Sequence, residues 1–489
     1  MTKLPNVLLC ISDQQRTDTL GFLGRTPCRT PHIDRLAREG TCFVDAICPS
    51  PICLPSRASM MTGQYPHQVN MMSNKDTIAA PPRLTDALRG AGYHTSYAGK
   101  WHLEPDGHPA AFKGREAELG LLDVHGPADA VLEKRRIDAW FDRAEGQASA
   151  DYSAWCAAQG LPDGWPVSDD DLRTKRTPSM TMPTPKRQAD LTADQTYDGW
   201  VTSLALNFLE ERPADRPFFL VCGWFAPHPP FKVPDPFFDM YGADLAPEPH
   251  NFGLQGGEPA GVARSFYHAL FEDYGDRWPP WAGSMAAYWG YTSMVDAQFG
   301  RLLARLEAEG VLDDTLVIYC SDHGEMMGSH GLWHKMAPYE ECLRVPLILR
   351  LPGSIAAGQQ VSGSASLIDV PATILAACGL PIPDVYEGAD LLSGDRPCYR
   401  FSEMRSLGDW HGIADFRLVV DDRFKRVWNR GERGEFYDLA SDPCEQTNRI
   451  DDPTAAPDID RLTTALIDWM RKTSDPLLAA AETELLSRK

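Results

Sequence analysis

The sequence has no apolar run of the roughly 20 residues that a membrane-spanning helix needs. It also has far fewer basic than acidic residues. Lys and Arg number 47 against 68 Asp and Glu, which gives a formal net charge of −21. Proteins that bind nucleic acid or anionic membranes present basic surfaces, so the charge balance argues against both functions. If the substrate is an anion, its pocket must supply positive charge locally.

The 12 cysteines are scattered and include no CxxC pair, which fits a cytoplasmic protein. Several of them, such as Cys10, Cys222 and Cys320, lie inside apolar runs and are expected to be small buried side chains. The N-terminal run Val7–Ile11 is too short for a signal-peptide core and has no small-residue cleavage site after it. These features predict a cytoplasmic protein.

Apolar runs typical of buried strands alternate with helical patterns along most of the chain. The runs Asn6–Ser12 and Thr315–Ser321 are predicted strands. Pro31–Glu39 is a predicted helix, because Pro suits a first helical turn and a glycine follows the last residue. Residues 291–306 carry an apolar stripe at helical spacing. The alternation predicts an α/β fold with a large, mixed but mostly parallel sheet flanked by helices.

Two parts of the chain depart from this alternation. Residues 104–190 are rich in Asp, Pro, Gly and Trp, and they are predicted to be a variable insertion near the active site. After about residue 390, short strand patterns follow one another and a helical pattern closes the unit. We therefore predict a catalytic domain over 1–390 and a small C-terminal α+β domain, with a short antiparallel sheet, over 391–489. The apolar helical stretch Pro476–Leu486 has no later chain to cover it, and this predicts a homo-oligomer.

Four predicted strands run directly into polar residues. In open α/β sheets, ligands bind at the carboxyl ends of the strands. One polar group after a strand is ordinary, but four such groups are hard to explain as solvated turns. The residues are Asp13 and Gln14, Lys100 and His102, His228, and Asp322 and His323.

Two of these groups predict a site for one divalent metal. Asp13, Gln14, Asp322 and His323 offer three oxygen ligands and one imidazole. The oxygens suit Ca²⁺ or Mg²⁺, and the imidazole moves the preference toward Mn²⁺. Because successive strand residues point to opposite faces, each pair can converge only if its strand has already ended.

Residues 53–63 form the run C-x-P-S-R-x-x-x-x-T-G. Pro55 suits the first turn of a helix, so Cys53 would lie at a helix N-terminus, where the dipole favours an oxyanion. From the residues alone, Cys53 is either a small side chain before a helix or an ordinary low-pKa thiol nucleophile.

This run resembles the signature of the type I sulfatases of the alkaline phosphatase superfamily, in which the cysteine is converted to formylglycine. The resemblance covers most of the chain. Further stretches that are similar to family motifs are 6–13, 30–36, 99–102, 227–231, 321–325, Lys335, 344–346 and 435–443. The resemblance implies an alkaline-phosphatase-like fold, formylglycine made from Cys53, and a formylglycine-generating enzyme as the maturation partner. It also implies one bound divalent metal, with Ca²⁺ as the first choice and Mn²⁺ as the second.

The resemblance also implies a mechanism. The residues with catalytic roles would be Cys53, Arg57, Lys100, His102, His228 and Lys335. Hydrated formylglycine is a geminal diol, and one of its hydroxyls attacks sulfur or phosphorus in line. Arg57 and Lys100 neutralise the nucleophile, while Lys335 and His228 bind the anion and protonate the departing oxygen. His102 then takes the proton of the second hydroxyl, so that the hemiacetal expels sulfate. Asn74 is a weaker candidate for a substrate contact.

Two departures from the commonest pattern bear on the substrate. Many sulfatases carry Asp-Asp at 13–14 and Asp-Asn at 322–323, whereas Asp-Gln and Asp-His resemble the choline-sulfatase and phosphonate monoester hydrolase branches. The latter typically place Tyr and Thr where this chain has Lys100 and His102. We predict a sulfatase acting on sulfate monoesters, aryl sulfates first, with slower phosphodiesterase and phosphonatase activity. The alternative is a phosphonate monoester hydrolase or phosphodiesterase.

Two other classes fit the sequence less well. A phosphomutase of the same superfamily would want a Ser or Thr nucleophile and two metal sites with more Asp and His ligands. A non-catalytic binding protein would not retain the nucleophile, acids and lysines together. The expected partners are thus a small anionic ester and the maturation enzyme, with neither nucleic acid nor membrane.

Overall fold

A computed structural model describes most of the chain. The described residues are 4–74, 76, 83–100, 143–145, 149–164, 184–253, 271, 274–275, 277–363, 365–394, 397–406 and 414–486. Within these ranges, no helix is both long and apolar enough to cross a membrane.

The described residues form 14 strands and ten α-helices. The strands are β1 Asn6–Ser12, β2 Thr41–Phe43, β3 His94–Gly99, β4 Arg143–Glu145, β5 Lys186–Arg187, β6 Phe218–Gly223, β7 Lys232–Val233, β8 Thr315–Ser321, β9 Leu347–Arg350, β10 Gln359–Val361, β11 Arg400–Met404, β12 Phe416–Val420, β13 Phe424–Asn429 and β14 Glu435–Asp438. The helices are α1 Pro31–Glu39, α2 Cys53–Thr62, α3 Arg83–Gly90, α4 Ser149–Ala158, α5 Tyr197–Glu211, α6 Trp278–Ala308, α7 Glu340–Leu343, α8 Val370–Ala377, α9 Ala456–Lys472 and α10 Leu478–Leu486.

The large sheet has eight strands in the order β10-β2-β9-β8-β1-β6-β3-β4. Strands β8, β1, β6, β3 and β4 run parallel to one another, and β9 is antiparallel to both β8 and β2. The predicted mixed, mostly parallel sheet is confirmed. Because β1, β3, β6 and β8 share one direction, the residues after their last positions all emerge at the same edge of the sheet.

The central strands are apolar along their whole length because both sheet faces are covered. Strands β6 and β8 are buried at every position, as is β1 after its first residue. Helix α5 packs against β3 and β6, and the long helix α6 packs against α5 and α1. The carboxylate of Asp296 on α6 accepts the backbone N–H groups of His32 and Ile33, which satisfies donors in the first turn of α1. The core thus fixes the strand ends on which the site is built.

Part of the segment predicted as an insertion belongs to regular structure. Strand β4 pairs with β3 at the edge of the large sheet, and Tyr152 of α4 is buried against Tyr197 and Trp200 of α5. Most of residues 104–190 lie outside the described residues, so their predicted closeness to the active site stays a prediction.

The C-terminal part forms an antiparallel sheet in the order β11-β12-β13-β14, with α9 packed on it, as predicted. The homo-oligomer predicted from the last helix stays a prediction. Helix α10 packs on α9, its Ala481 is buried, and its Glu484 accepts a hydrogen bond from Trp428 at 2.9 Å. The apolar face of the last helix is therefore partly covered within the chain, although Leu486 remains 45% exposed, and this weakens the support for the predicted oligomer.

Candidate active site

The first pair of predicted metal ligands lies just beyond β1. The strand ends at Ser12, and Gln14 has a positive φ of 66°, which turns the chain sharply. The Gln14 N–H donates to Asp322 Oδ1 at 3.0 Å, and Tyr288 of α6 donates its hydroxyl to the Gln14 carbonyl at 2.6 Å. These two bonds hold a backbone conformation that a non-glycine residue rarely adopts. The strand has ended before the pair, as convergence requires.

The second pair follows β8. The ring of His323 donates from Nδ1 to the Gly324 carbonyl at 2.9 Å, which leaves Nε2 with its lone pair for a ligand. Burial lowers the His323 pKa to about 4, so the imidazole is neutral at neutral pH. His323 Nε2 lies 3.7 Å from Asp322 Oδ1 and 3.8 Å from Asp13 Oδ1. The two strand ends thus meet in one cluster.

Helix α2 presents Cys53 to this cluster at its first residue. All ten residues of the helix are buried. The Leu54 N–H is capped by Asn74 Oδ1 at 3.0 Å, and Ser56 donates its hydroxyl to the Asp322 carbonyl at 2.6 Å. Cys53 Sγ lies 3.1 Å from His323 Nε2, and ligand atoms of Asp13, Cys53, Asp322 and His323 all lie within 4.8 Å of one another. The helix start is therefore fixed against the predicted metal ligands Asp13, Gln14, Asp322 and His323, which together are called the metal cluster below.

Two basic side chains, Arg57 and Lys100, neutralise the carboxylates on one side of Cys53. Arg57 donates from Nε to Asp322 at 2.8 Å and lies 3.4 Å from Asp13, while its Nη1 binds the Lys100 carbonyl at 2.8 Å. Lys100 Nζ lies 2.5 Å from Asp13 Oδ2 and 3.8 Å from Cys53 Sγ. Burial alone would raise the Asp13 pKa, but the surrounding positive charges outweigh it and hold that pKa well below its usual range. Asp13 is therefore ionised at neutral pH.

A lysine–histidine pair stands on another side of the same sulfur. Lys335 Nζ lies 2.8 Å from Cys53 Sγ and 3.0 Å from His228 Nε2. His228 donates from Nδ1 to the Pro229 carbonyl at 2.6 Å, so Nε2 is the atom that faces the ammonium group. The pair can bind an anion on Cys53 and exchange a proton with it.

The side-chain amide of Gln14 reaches a second layer of buried groups. Its Nε2 donates to Glu325 and lies 3.1 Å from His334 Nδ1. Glu325 in turn accepts the N–H groups of Met327 at 3.0 Å and His334 at 2.7 Å. Several donors thus hold the Glu325 side chain at once. Burial raises its pKa to about 7.

The donor set fits a divalent cation. Gln14 Oε1 is buried and has no hydrogen-bond partner among the described residues. With the carboxylates of Asp13 and Asp322 and Nε2 of His323, which lie together, it would make three oxygens and one imidazole. A bound cation would give that buried oxygen the partner it lacks.

Comparison with known proteins agrees with this geometry. Residues 5–380 match the family model described as Sulfatase. The chain belongs to the sulfatase family. A second family model, described as N-sulphoglucosamine sulphohydrolase, C-terminal, matches residues 328–472 of this sulfatase.

Individual relatives cover almost the whole chain. The uncharacterized sulfatase YidJ of Escherichia coli (strain K12) is 31% identical and aligns with 97% of this sulfatase and 88% of its own length. An arylsulfatase of Clostridium perfringens is 29% identical and aligns with 95% of this sulfatase and 94% of its own length. The crystal structure of a phosphonate monoester hydrolase of Agrobacterium radiobacter superposes with a TM-score of 0.75 at 26% identity, covering 96% of each chain.

The predicted site residues of this sulfatase can now be placed. All of them except His102 lie in one connected network, and His102 lies outside the described residues. Asn74 holds the start of α2, and its predicted substrate contact stays a prediction. Sequence reasoning missed Tyr288, Glu325 and His334. Of these, only Glu325 carried a signal, because it stands in the polar group that follows β8.

Proposed function

We propose that this sulfatase hydrolyses sulfate monoesters, aryl sulfates first, with formylglycine made from Cys53 as its nucleophile. One observation carries the proposal. Cys53 Sγ lies between the metal cluster, 3.1 Å from His323, and an anion-binding ammonium group, 2.8 Å from Lys335 Nζ. A nucleophile placed between a cation site and a lysine suits attack on an ester that carries negative charge.

The residues around Cys53 would divide the work by position. Formylglycine would supply a hydrated aldehyde, with one hydroxyl to attack and a second whose deprotonation releases sulfate. Arg57 and Lys100 neutralise negative charge on the nucleophile side. Lys335 and His228 bind the substrate anion, and the proton for the departing oxygen passes from the Lys335 ammonium through His228 Nε2, which faces it. The role of His102 as the base for sulfate release rests on the family resemblance.

The cation would be held by Asp13, Gln14, Asp322 and His323, and it would supply fixed positive charge beside the nucleophile. We propose Ca²⁺ first, because three of the four donors are oxygens, and Mn²⁺ next, because His323 adds an imidazole. Metal analysis of the purified protein tests this order. A formylglycine-generating enzyme is the proposed maturation partner. The cytoplasmic location and the homo-oligomer remain predictions.

A phosphonate monoester hydrolase or phosphodiesterase is the second candidate. Gln14 and His323 in the metal cluster favour it, since they match the pattern of the phosphonate hydrolase branch, and a solved enzyme of that name shares the fold. Lys100 favours the sulfatase reading, because an ammonium group beside the nucleophile can bind one of the exposed oxygens of a sulfate monoester.

The deciding experiment compares kcat/KM for an aryl sulfate, a phosphodiester and a phosphonate monoester with matched leaving groups. We expect the aryl sulfate to be the best substrate and the other two to react more slowly at the same site. A higher kcat/KM for the phosphonate monoester would reverse the assignment.

A further inference from the structure

The Gln14 amide has an oxygen end and a nitrogen end, and its neighbours decide which of them is left for a cation. The Nε2 atom donates to Glu325 and lies 3.1 Å from His334 Nδ1, which accepts from it when the ring proton is on the other nitrogen. The Oε1 atom is buried and lacks a hydrogen-bond partner. The oxygen is thus the end of the amide left for another ligand.

Rotating the amide by 180° would be unfavourable for a simple reason. With Glu325 ionised, the carbonyl oxygen would then face its carboxylate, so that two acceptors would be in contact without a proton between them. The NH₂ group would take the place of the oxygen, and an amide nitrogen with two hydrogens is not a metal ligand. The rotated form would therefore lose both the hydrogen bond and the ligand.

Glu325 can impose this orientation because it is itself immobile. It is fully buried, and its Oε1 accepts the backbone N–H groups of Met327 and His334. Its own main chain is tied down as well, since its N–H donates to the Glu341 carbonyl at 2.9 Å and its carbonyl accepts from Arg16 at 3.0 Å. The carboxylate offers Gln14 one fixed acceptor.

We propose that Glu325, assisted by His334, is a positioning residue that keeps the Gln14 carbonyl oxygen turned toward the metal cluster and so sets the affinity of the site for its cation. The inference rests on the proposed metal site. It goes beyond that site because it assigns a function to Glu325, a buried acid that is not a predicted ligand and that binds the Gln14 amide.

Glu325→Gln is the most direct test. An amide at 325 offers one acceptor and one donor end, whereas Gln14 Nε2 and the N–H groups of Met327 and His334 all require acceptors. No orientation satisfies all three, so the Gln14 amide loses its fixed partner. Changes to groups that orient metal ligands typically cost 10–100-fold in metal affinity, and we expect a loss in this range.

The measurement is calorimetric titration of EDTA-stripped protein with Mn²⁺ and with Ca²⁺, for wild type, Glu325→Gln, Gln14→Ala and the double variant. If Glu325 acts through Gln14, the Glu325→Gln change lowers the metal affinity about 10–100-fold in the wild-type background. In the Gln14→Ala background it lowers that affinity by less than about twofold. Glu341→Gln is the matched control, since the carboxylate of this neighbouring acid accepts from Asn251 at 2.7 Å, and the variant should bind metal with wild-type affinity.

The outcomes separate the two proposals. If wild type binds neither cation, the proposed metal site fails and the inference with it. If wild type binds but Glu325→Gln binds equally well, the inference alone fails. Equal losses in both backgrounds would show that Glu325 acts independently of Gln14, for example through the fold of residues 325–334, and would also overturn it.

Discussion

Removal of the Arg57 guanidinium should lower the free energy of unfolding strongly, and bound metal should restore part of the lost stability. The group is buried, and it lies 2.8 Å from one carboxylate of the metal cluster and 3.4 Å from the other. Removing one partner of a buried ion pair typically costs about 3–5 kcal/mol, because the remaining charge is left without compensation. Asp322 would lose its pairing with Arg57, but Asp13 would keep its contact with Lys100. We therefore expect Arg57→Met to cost about 3 kcal/mol, at the lower end of that range.

The assay is urea denaturation of the EDTA-treated protein, read from the midpoint and slope of the transition. With saturating Ca²⁺ or Mn²⁺ the difference from wild type should shrink, since the cation neutralises the same two carboxylates. Arg35→Met is the matched control: Arg35 pairs with Glu39 and Glu307 but is about one-third exposed, so its loss should stay below about 1 kcal/mol. An Arg57→Met variant as stable as Arg35→Met, or equally destabilised with and without metal, would refute the reasoning.

Three further results are expected at the site. Mass spectrometry of the peptide containing Cys53, from protein made with the maturing enzyme, should show an aldehyde or its hydrate, and Cys53→Ala should lose turnover; a fully active sample with only unmodified cysteine would contradict this. Asp13→Asn should raise the metal concentration needed for half-maximal activity by at least about 10-fold, and an unchanged requirement would place the cation elsewhere. His228→Asn should lower kcat by about 10²–10⁴-fold for poor leaving groups and by less for activated ones, whereas a uniform loss would remove His228 as the proton donor.

The strand ends were predictable from the sequence because burial on both faces makes the central strands continuous apolar runs. The runs Asn6–Ser12 and Thr315–Ser321 begin and end in the structure where the sequence places them. The parallel direction of these strands then brings the residues after them to one edge without any further information. This is why most of the candidate site could be predicted before the fold was known.

The expectation that nothing covers the C-terminal helix considered only the chain that follows the helix. The residues that cover α10 come earlier, from α9 and from Trp428 on β13, which lies 56 residues before its hydrogen-bond partner Glu484. Apolar periodicity shows that a face will be buried, but it does not show what buries it. An uncovered stretch in the sequence is therefore weak support for oligomerisation.

The role of Glu325 was beyond prediction for a related reason. Its contact with Gln14 joins residues 311 positions apart, and its importance depends on which end of an amide faces the cluster. A motif can show that Gln14 stands in a metal-ligand position, but a glutamine binds metal only through its oxygen, and that choice is made by a neighbour. The sequence thus predicts which residues form the site, whereas the orientation that makes one of them a ligand depends on packing between β1 and the segment after β8.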